Sequence, residues 1–332
     1  MHVEPMFASA PARSGMYESF YLRAVSASEA LGVWIRHTVN KPPGRRARGS
    51  VWCTVFDAAR GRPFMHKFSS DALRVGGDGW IAIGDSEAGE QSATMGARSA
   101  SGECGAAKWS LRIAPEQAEL RHLPREWLYR SRLPRTKLTS PAPVARFDGE
   151  LSLKAGRTIE LDGWLGMVGH NWGAEHAERW IWLHGVGFEQ APEAWIDVAL
   201  GRVKIAGRMT PWVANGALSI GGRRLRLGGL GARGLRVAER GDGCVLSLPG
   251  ERGLTVQAHV QAPAQIAAGW RYGDPGGGDG HDVVNCSIAA LELTVALPGE
   301  PARTLTSSHG GVYELGMRER DHGVAIAPFA DE

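Results

Sequence analysis

The sequence predicts an all-β protein, a sandwich or barrel architecture whose 332 residues would hold two antiparallel barrels in tandem at roughly 150 residues each. Three observations carry that prediction. Segments with apolar residues at alternate positions recur along the chain, parted by turn residues at spacings of about 8–12 residues, the signature of many short strands. No stretch carries the apolar period of a long amphipathic helix, and Pro124–Tyr129 and Ala174–Arg179 are candidates for no more than a turn. The 45 glycines and 18 prolines supply the turns such a chain needs.

In chain order, residues 1–15 read as a poorly ordered leader, and Glu18–Val25, Gly32–Asn40 and Ser50–Asp57 as the first strands. On the second of these, Val33, Ile35, His37 and Val39 share one face and Trp34, Arg36 and Thr38 the other; on the third, Trp52, Thr54 and Phe56 face together. Trp80–Ile83, Ala107–Ile113 and Ala118–Leu123 follow, with Gly76-Gly77-Asp78-Gly79 and Gly102–Gly105 as turns. Leu133–Val144 is broken by proline and reads as an extended connection. Strands at Asp148–Leu153 and Thr158–Met167 then flank a bend at Ala155-Gly156-Arg157. Beyond the centre, Ala194–Leu200, Val203–Thr210, Leu218–Ile220, Arg223–Leu227, Leu235–Arg240, Cys244–Leu248, Leu254–Gln261, Val283–Val295 and Ala302–Tyr313 read as strands.

Composition narrows the partners. A hydrophobic fraction of 43% and a charged fraction of 22% are ordinary for a globular chain. A net charge of +3 argues against a nucleic-acid partner, and the one dense basic run, Lys41–Arg48, is interrupted by proline and glycine as a solvated loop. Cys53, Cys104, Cys244 and Cys286 are too far apart for a dithiol or zinc knuckle and read as buried, reduced thiols. The first residues do not read as a secretory signal, and no apolar run approaches the roughly 18 residues of a membrane span. A cytoplasmic protein is the default, with at most transient contact with a membrane surface.

Met167–Gly187 is where titratable groups and large aromatics crowd together: His170, His176, His184, Glu175, Glu178, Trp172, Trp180 and Trp182. Gly169 and Gly173 bracket His170-Asn171-Trp172, which reads as an irregular connection. Trp180–His184 reads as a strand with Trp180, Trp182 and His184 on one face and Ile181 and Leu183 on the other. Two indoles ending in an imidazole would line a pocket for a large, mostly apolar molecule; an aromatic core strand is the plainer alternative.

Other motifs carry less. Gly229-Leu230-Gly231-Ala232-Arg233-Gly234 matches a dinucleotide fingerprint in letters, but a strand follows where a helix is required. A metal site from His170, Glu175, His176 and His184 matches no ligand spacing, so no metal is expected. His281, Val283, Asn285 and Ser287 share a face that reads as solvent-facing rather than as polar lining. His309-Gly310-Gly311 reads as a structural turn. Glu18 and Arg36, on neighbouring strands, would pair inside a barrel, or orient a substrate carbonyl.

The glycine-flanked His170-Asn171-Trp172-Gly173, followed by Trp180-Ile181-Trp182, resembles the lipocalin-like hydratase/cyclase superfamily. That group includes carotenoid 1,2-hydratases (hydroxyneurosporene synthases), tocopherol cyclases and some pericyclases. Tocopherol cyclases carry a similar Asn-Trp-Gly followed by Trp-x-Trp, with lysine where this chain has His170. Glu18–Arg23 and the strand with Trp34 and Arg36 look like the opening strands of bacterial members. The resemblance implies two lipocalin-like antiparallel β-barrels in tandem, 16–175 and 176–332, with a ligand near their junction and no cofactor.

It also implies a chemistry: an acid protonates a carbon–carbon double bond in a dry pocket, aromatic faces steady the cation, and a base removes a proton. Glu175 or His176 is the expected acid, with Asp197 a second candidate, and His170 or His184 the base. Trp172, Trp180 and Trp182 supply the faces; Trp34, Arg36, Asn171, Trp195 and His184 complete the expected substrate contacts. The expected activity is a cofactor-independent hydratase, cyclase or isomerase acting on an isoprenoid or polyketide-like molecule. The alternatives are a carrier of a lipophilic small molecule and a purely structural partner-binding domain.

Overall fold

Alternation of inward and outward side chains organises both halves of the computed structural model, which describes residues 1–75, 79–154 and 156–329. Among these residues two antiparallel sheets, of twelve and ten strands, each curl into a nearly closed barrel. In spatial order the first runs through Phe64–Ser70, Arg48–Asp57, Leu31–Lys41, Met16–Val25, Arg157–Gly173, Thr136–Leu153 and Ala107–Pro115, then through short strands between residues 73 and 104. In the second, Arg179–Gly185 lies between Trp195–Arg202 and Arg303–Met317; His281–Ala296 pairs with the latter and also with Ala268–Tyr272. The first sheet's last strand in sequence ends at Gly173 and the second sheet begins at Arg179. The expected turn at Gly76-Gly77-Asp78 and the bend residue Ala155 lie outside the described residues.

Each barrel is filled by one face of its strands. Phe20, Leu22, Val33, Ile35, Val51, Cys53, Phe147 and Val168 pack inside the first, and Ile181, Leu183, Ile196, Val198 and Leu246 inside the second. All four cysteines are free and buried. The opposite faces of the same strands meet in a seam between the barrels. On the first barrel, register sets Tyr21 beside Arg36, Arg23 beside Trp34, and Arg36 beside Trp52. On the second, Trp182 lies opposite Glu314, Glu314 opposite Asn285, and Tyr272 opposite His281. Trp52 meets Trp270 edge-on at 5.0 Å between ring centroids, and Tyr21 meets Trp182 at 5.3 Å. Arg23, fully buried, donates from Nε and Nη2 to the Ser287 carbonyl and from Nη2 to that of Gly311, a clamp across the two barrels. Burying indoles such as Trp34, Trp52 and Trp270 stabilises the seam by about 3–5 kcal/mol each.

Several expectations are corrected here. His170-Asn171-Trp172 is not an irregular connection but the end of the regular strand Arg157–Gly173. Gly169 serves packing: a Cβ there would stand 2.1 Å from Tyr21 Cζ, so its absence admits the phenol ring across the strand pair. Leu133–Val144 largely belongs to the strand Thr136–Leu153, because register shifts between Thr139, Ala142 and Ala145 absorb Pro141 and Pro143. Phe64–Ser70 and Ala268–Tyr272, short and without clean alternation, are strands that the pattern does not reveal. His281, Val283, Asn285 and Ser287 do share a face, but it is buried in the seam rather than turned to solvent.

Glu18 and Arg36 do not pair. Glu18 lies opposite Val39 and faces into the first barrel, while Arg36 faces the seam, since strand neighbours of opposite parity point apart. Of the two candidate helical turns, the first appears as Trp127–Arg130; the second is irregular. Residues 1–15 lie along the first barrel. The Met6 and Phe7 amides donate to the Glu18 carboxylate at 2.9 and 2.7 Å, and Lys41 Nζ donates to the carbonyls of Pro11, Ala12 and Ser14.

Candidate active site at the seam between the barrels

One end of the seam gathers two histidines, an aspartate and a set of aromatic rings. His176, in the link between the barrels, is fixed by Asp274, whose Oδ1 accepts from both the His176 amide and Nδ1–H at 2.8 Å. That bond assigns the proton to Nδ1 and turns Nε2 inward, where it is buried and has no partner. The imidazole stacks on Tyr17 at 4.0 Å and on Trp180 at 5.5 Å. Trp180 in turn stacks on Tyr272 at 6.2 Å and donates from Nε1 to Glu314 Oε1 at 3.0 Å. Gly316, its cross-strand neighbour, leaves the indole its place: a Cβ there would stand 2.1 Å from the ring.

Electrostatics separate the groups by role. Burial raises the Asp274 carboxyl, but the hydrogen bond and charge of His176 outweigh it and hold Asp274 ionised, at about 2. Burial, with the charges of His176 and Arg318, pushes His281 down to about 4, so it is neutral at physiological pH; both its ring nitrogens are buried and unpartnered. Burial pushes the Tyr17 and Tyr21 phenols well up, keeping them as neutral donors. Tyr17 donates to Thr136 Oγ1 at 3.0 Å.

A second polar cluster lies deeper. Asp197 accepts from Ser140 Oγ at 2.5 Å and from Trp182 Nε1 at 3.1 Å, with His122 Nε2 at 3.5 Å. Burial would raise Asp197, but His122, His184 and Ser140 together hold it at about 2. It is therefore a locked carboxylate linking the barrels and does not serve as the expected proton donor. His184 donates from Nε2 to the Pro143 carbonyl at 2.9 Å, and burial pushes it down to about 4. These groups are fully buried, and the bulged strand that exposes the Pro143 carbonyl makes them a structural bolt.

Of the expected site residues, the structure thus brings Arg36, His176 and Trp180 to one place, with Trp182, His184 and Asp197 behind them. It separates the others by strand parity. His170 and Trp172 face into the first barrel, where His170 Nε2 lies 2.7 Å from Glu18 Oε1 and the ring is stacked between Phe20 and Trp172 at 4.6 Å each. Asn171 alone of that triplet faces the seam. Glu175 is 44% exposed and ion-paired with Arg135. Trp34 packs on Trp270 at 6.2 Å, and Trp195 is fully buried beneath Arg224; both are packing groups. The pattern misses Tyr17, Asp274, Tyr272, His281 and Glu314. Of these, only the alternation over His281–Ser287 carried a signal; Asp274 sits in a glycine-rich turn with none.

His176, Asp274 and His281 place their ligand atoms within 4.8 Å of one another, a donor set of two imidazoles and a carboxylate that could accept a cation. The direct bond between Nδ1 and Oδ1 is the arrangement of an orienting acid–base pair.

No protein-family model matches the sequence, and no curated protein matches it. Solved structures match the fold. CghA shares 15% identity over 91% of this chain and 88% of its own, with a TM-score of 0.62. CghA with Sch210972 gives 14%, 91%, 88% and 0.57. An AttH-like protein of Nitrosomonas europaea gives 13% identity over 93% and 94% of the two chains, with a TM-score of 0.51. At these identities the likeness is one of fold, which this chain shares with CghA and the AttH-like protein over nearly its whole length. Among the described residues no helix is long and apolar enough to cross a membrane.

Proposed function

We propose that the seam is the active site of a cofactor-independent hydratase, cyclase or isomerase that moves a proton onto or off a double bond of a lipophilic molecule of isoprenoid or polyketide type. The observation that carries this reading is the His176–Asp274 pair. A carboxylate fixes one imidazole nitrogen, and the other is buried, unpartnered and walled by aromatic rings. With its Nδ1–H held by Asp274, His176 would take a proton at Nε2 from the substrate, and Asp274 would stabilise the imidazolium, which then returns the proton at another carbon or oxygen. The faces of Tyr17 and Trp180, stacked on His176, suit the positive charge that its imidazolium acquires. A small-molecule substrate is supported by the fold neighbour CghA, which was solved with Sch210972.

The test incubates the protein with polyene and prenyl-quinol candidates and follows products by mass spectrometry. His176→Ala and Asp274→Asn should lower turnover by roughly 10²–10⁴-fold. Unchanged turnover in both variants removes the assignment. A bound lipophile recovered intact by native mass spectrometry, with no turnover of any candidate, would favour the carrier.

A further inference from the structure

We propose that Arg36 is an anion-binding residue and that the molecule held in the seam carries an acidic oxygen group, a carboxylate or an enolate, on its lipophilic body. This inference rests on the seam being the binding site and adds the class of head group.

Among the described residues Arg36 is a buried cation without a counter-ion. Arg36 is 5% exposed. Its Nε donates to Ser19 Oγ at 2.6 Å, and its guanidinium lies flat on Tyr272 at 3.9 Å from the ring centroid, with Trp52 at 5.6 Å. Nη1 is buried and has no partner, and among the described residues no carboxylate pairs with this side chain. Removing a guanidinium from water is costly unless an anion or carbonyl oxygens replace its hydration.

The acids of the seam are occupied elsewhere. Asp274 is bonded to His176 and lies 3.5 Å from Arg318 Nη2. Glu314 accepts from Trp180 Nε1 and Asn285 Nδ2. Asp197 accepts from Ser140 and Trp182. Arg23, whose Nη1 is likewise buried and unpartnered, differs in spending three bonds from Nε and Nη2 on carbonyls of the opposite barrel. Arg36 reaches no such partner, and it borders the reaction centre.

A second observation points to the same place. His281, the cross-strand neighbour of Tyr272, is fully buried with neither ring nitrogen hydrogen-bonded, its Nδ1 standing 3.8 Å from Asp274 Oδ2. Its ring lies 5.1 Å from Trp180 and 5.9 Å from His176. Tyr272 is thus flanked by a guanidinium with a spare N–H and by a neutral imidazole with a spare N–H, the donors that grip a two-oxygen anion. An anionic head group fixed there would set the attached chain against Trp180 and Nε2 of His176, which orients the substrate for proton transfer.

The experiment measures tryptophan-fluorescence titrations with two pairs of probes that differ only in charge. One pair is retinoic acid against retinamide. The other is a long-chain 2-acyl-1,3-cyclohexanedione, ionised at neutral pH, against its O-methyl ether. Wild type should bind at least one anion roughly tenfold or more tighter than its neutral partner. Arg36→Gln should abolish that preference and leave the neutral probe's Kd within about twofold, and Arg36→Lys should keep part of it. The pair showing the preference identifies carboxylate or enolate. Equal Kd values within both pairs in wild type, failure of both anions to bind, or an undiminished preference in Arg36→Gln would overturn the inference. The wild-type comparison decides even if a variant misfolds. An Arg36-dependent preference without turnover leaves this inference standing and removes the catalytic reading; His176-dependent turnover without a preference does the reverse.

Discussion

Gly316→Ala tests the site without touching an ionisable group. The new Cβ would stand 2.1 Å from Cε2 and Cζ2 of Trp180, where carbon–carbon contacts need about 3.5 Å, so the indole must retreat by about 1.4 Å. That movement takes Nε1 out of range of Glu314 Oε1, now at 3.0 Å, and removes a bond to a charged acceptor that contributes about 1.5–3 kcal/mol. It also opens the stack of His176, Trp180 and Tyr272. A misplacement of this size beside reacting atoms costs about 10²-fold in rate. The assays are turnover on the active candidate substrate and the tryptophan emission spectrum, which should shift as Trp180 is displaced. If Gly316→Ala keeps both the wild-type spectrum and wild-type turnover, Trp180 is not held where the structure places it, or its place has no bearing on the chemistry.

Other perturbations follow from the same geometry. His37 is fully buried with both ring nitrogens unpartnered, and burial pushes it down to about 3. Because the folded value lies below the unfolded one, its contribution is complete above about pH 6.5 and is lost as pH falls toward 3; about 2 kcal/mol should go between pH 7 and pH 5. His37→Phe should remove that part of the acid sensitivity, which thermal unfolding at the two pH values would show, and identical pH dependence in both proteins would refute the attribution. Asp197→Asn should destabilise by about 3–5 kcal/mol, because it leaves the buried donors of Ser140, Trp182 and His122 facing a neutral amide. A shift in urea midpoint equivalent to less than about 1 kcal/mol would contradict the bolt. Glu175→Gln should change turnover by less than about twofold and stability by less than about 1 kcal/mol, since the exposed Glu175–Arg135 pair is solvated. A large loss of turnover would return Glu175 to the reaction.

What the sequence determined by itself is the all-β class and the sidedness of individual strands. A strand has period two, so Val33 and Ile35 against Trp34 and Arg36, or Trp180 and Trp182 against Ile181 and Leu183, are separated by local stereochemistry alone. The crowded centre also drew attention to His176 and Trp180, whose rings the structure stacks together in the seam. Proximity along the chain misled where period two extended further than the glycines suggested: His170 and Asn171 are adjacent, yet they face different compartments. Only the tertiary structure could decide which outward faces meet. Packing one barrel against the other joins Arg36 to Tyr272 and His176 to Asp274, 98 residues apart, and covers His281 from solvent. It also selects which ionisable groups lose water, and with it their charge at neutral pH. Burial and partner charge arise between strands distant in sequence, where no local pattern records them.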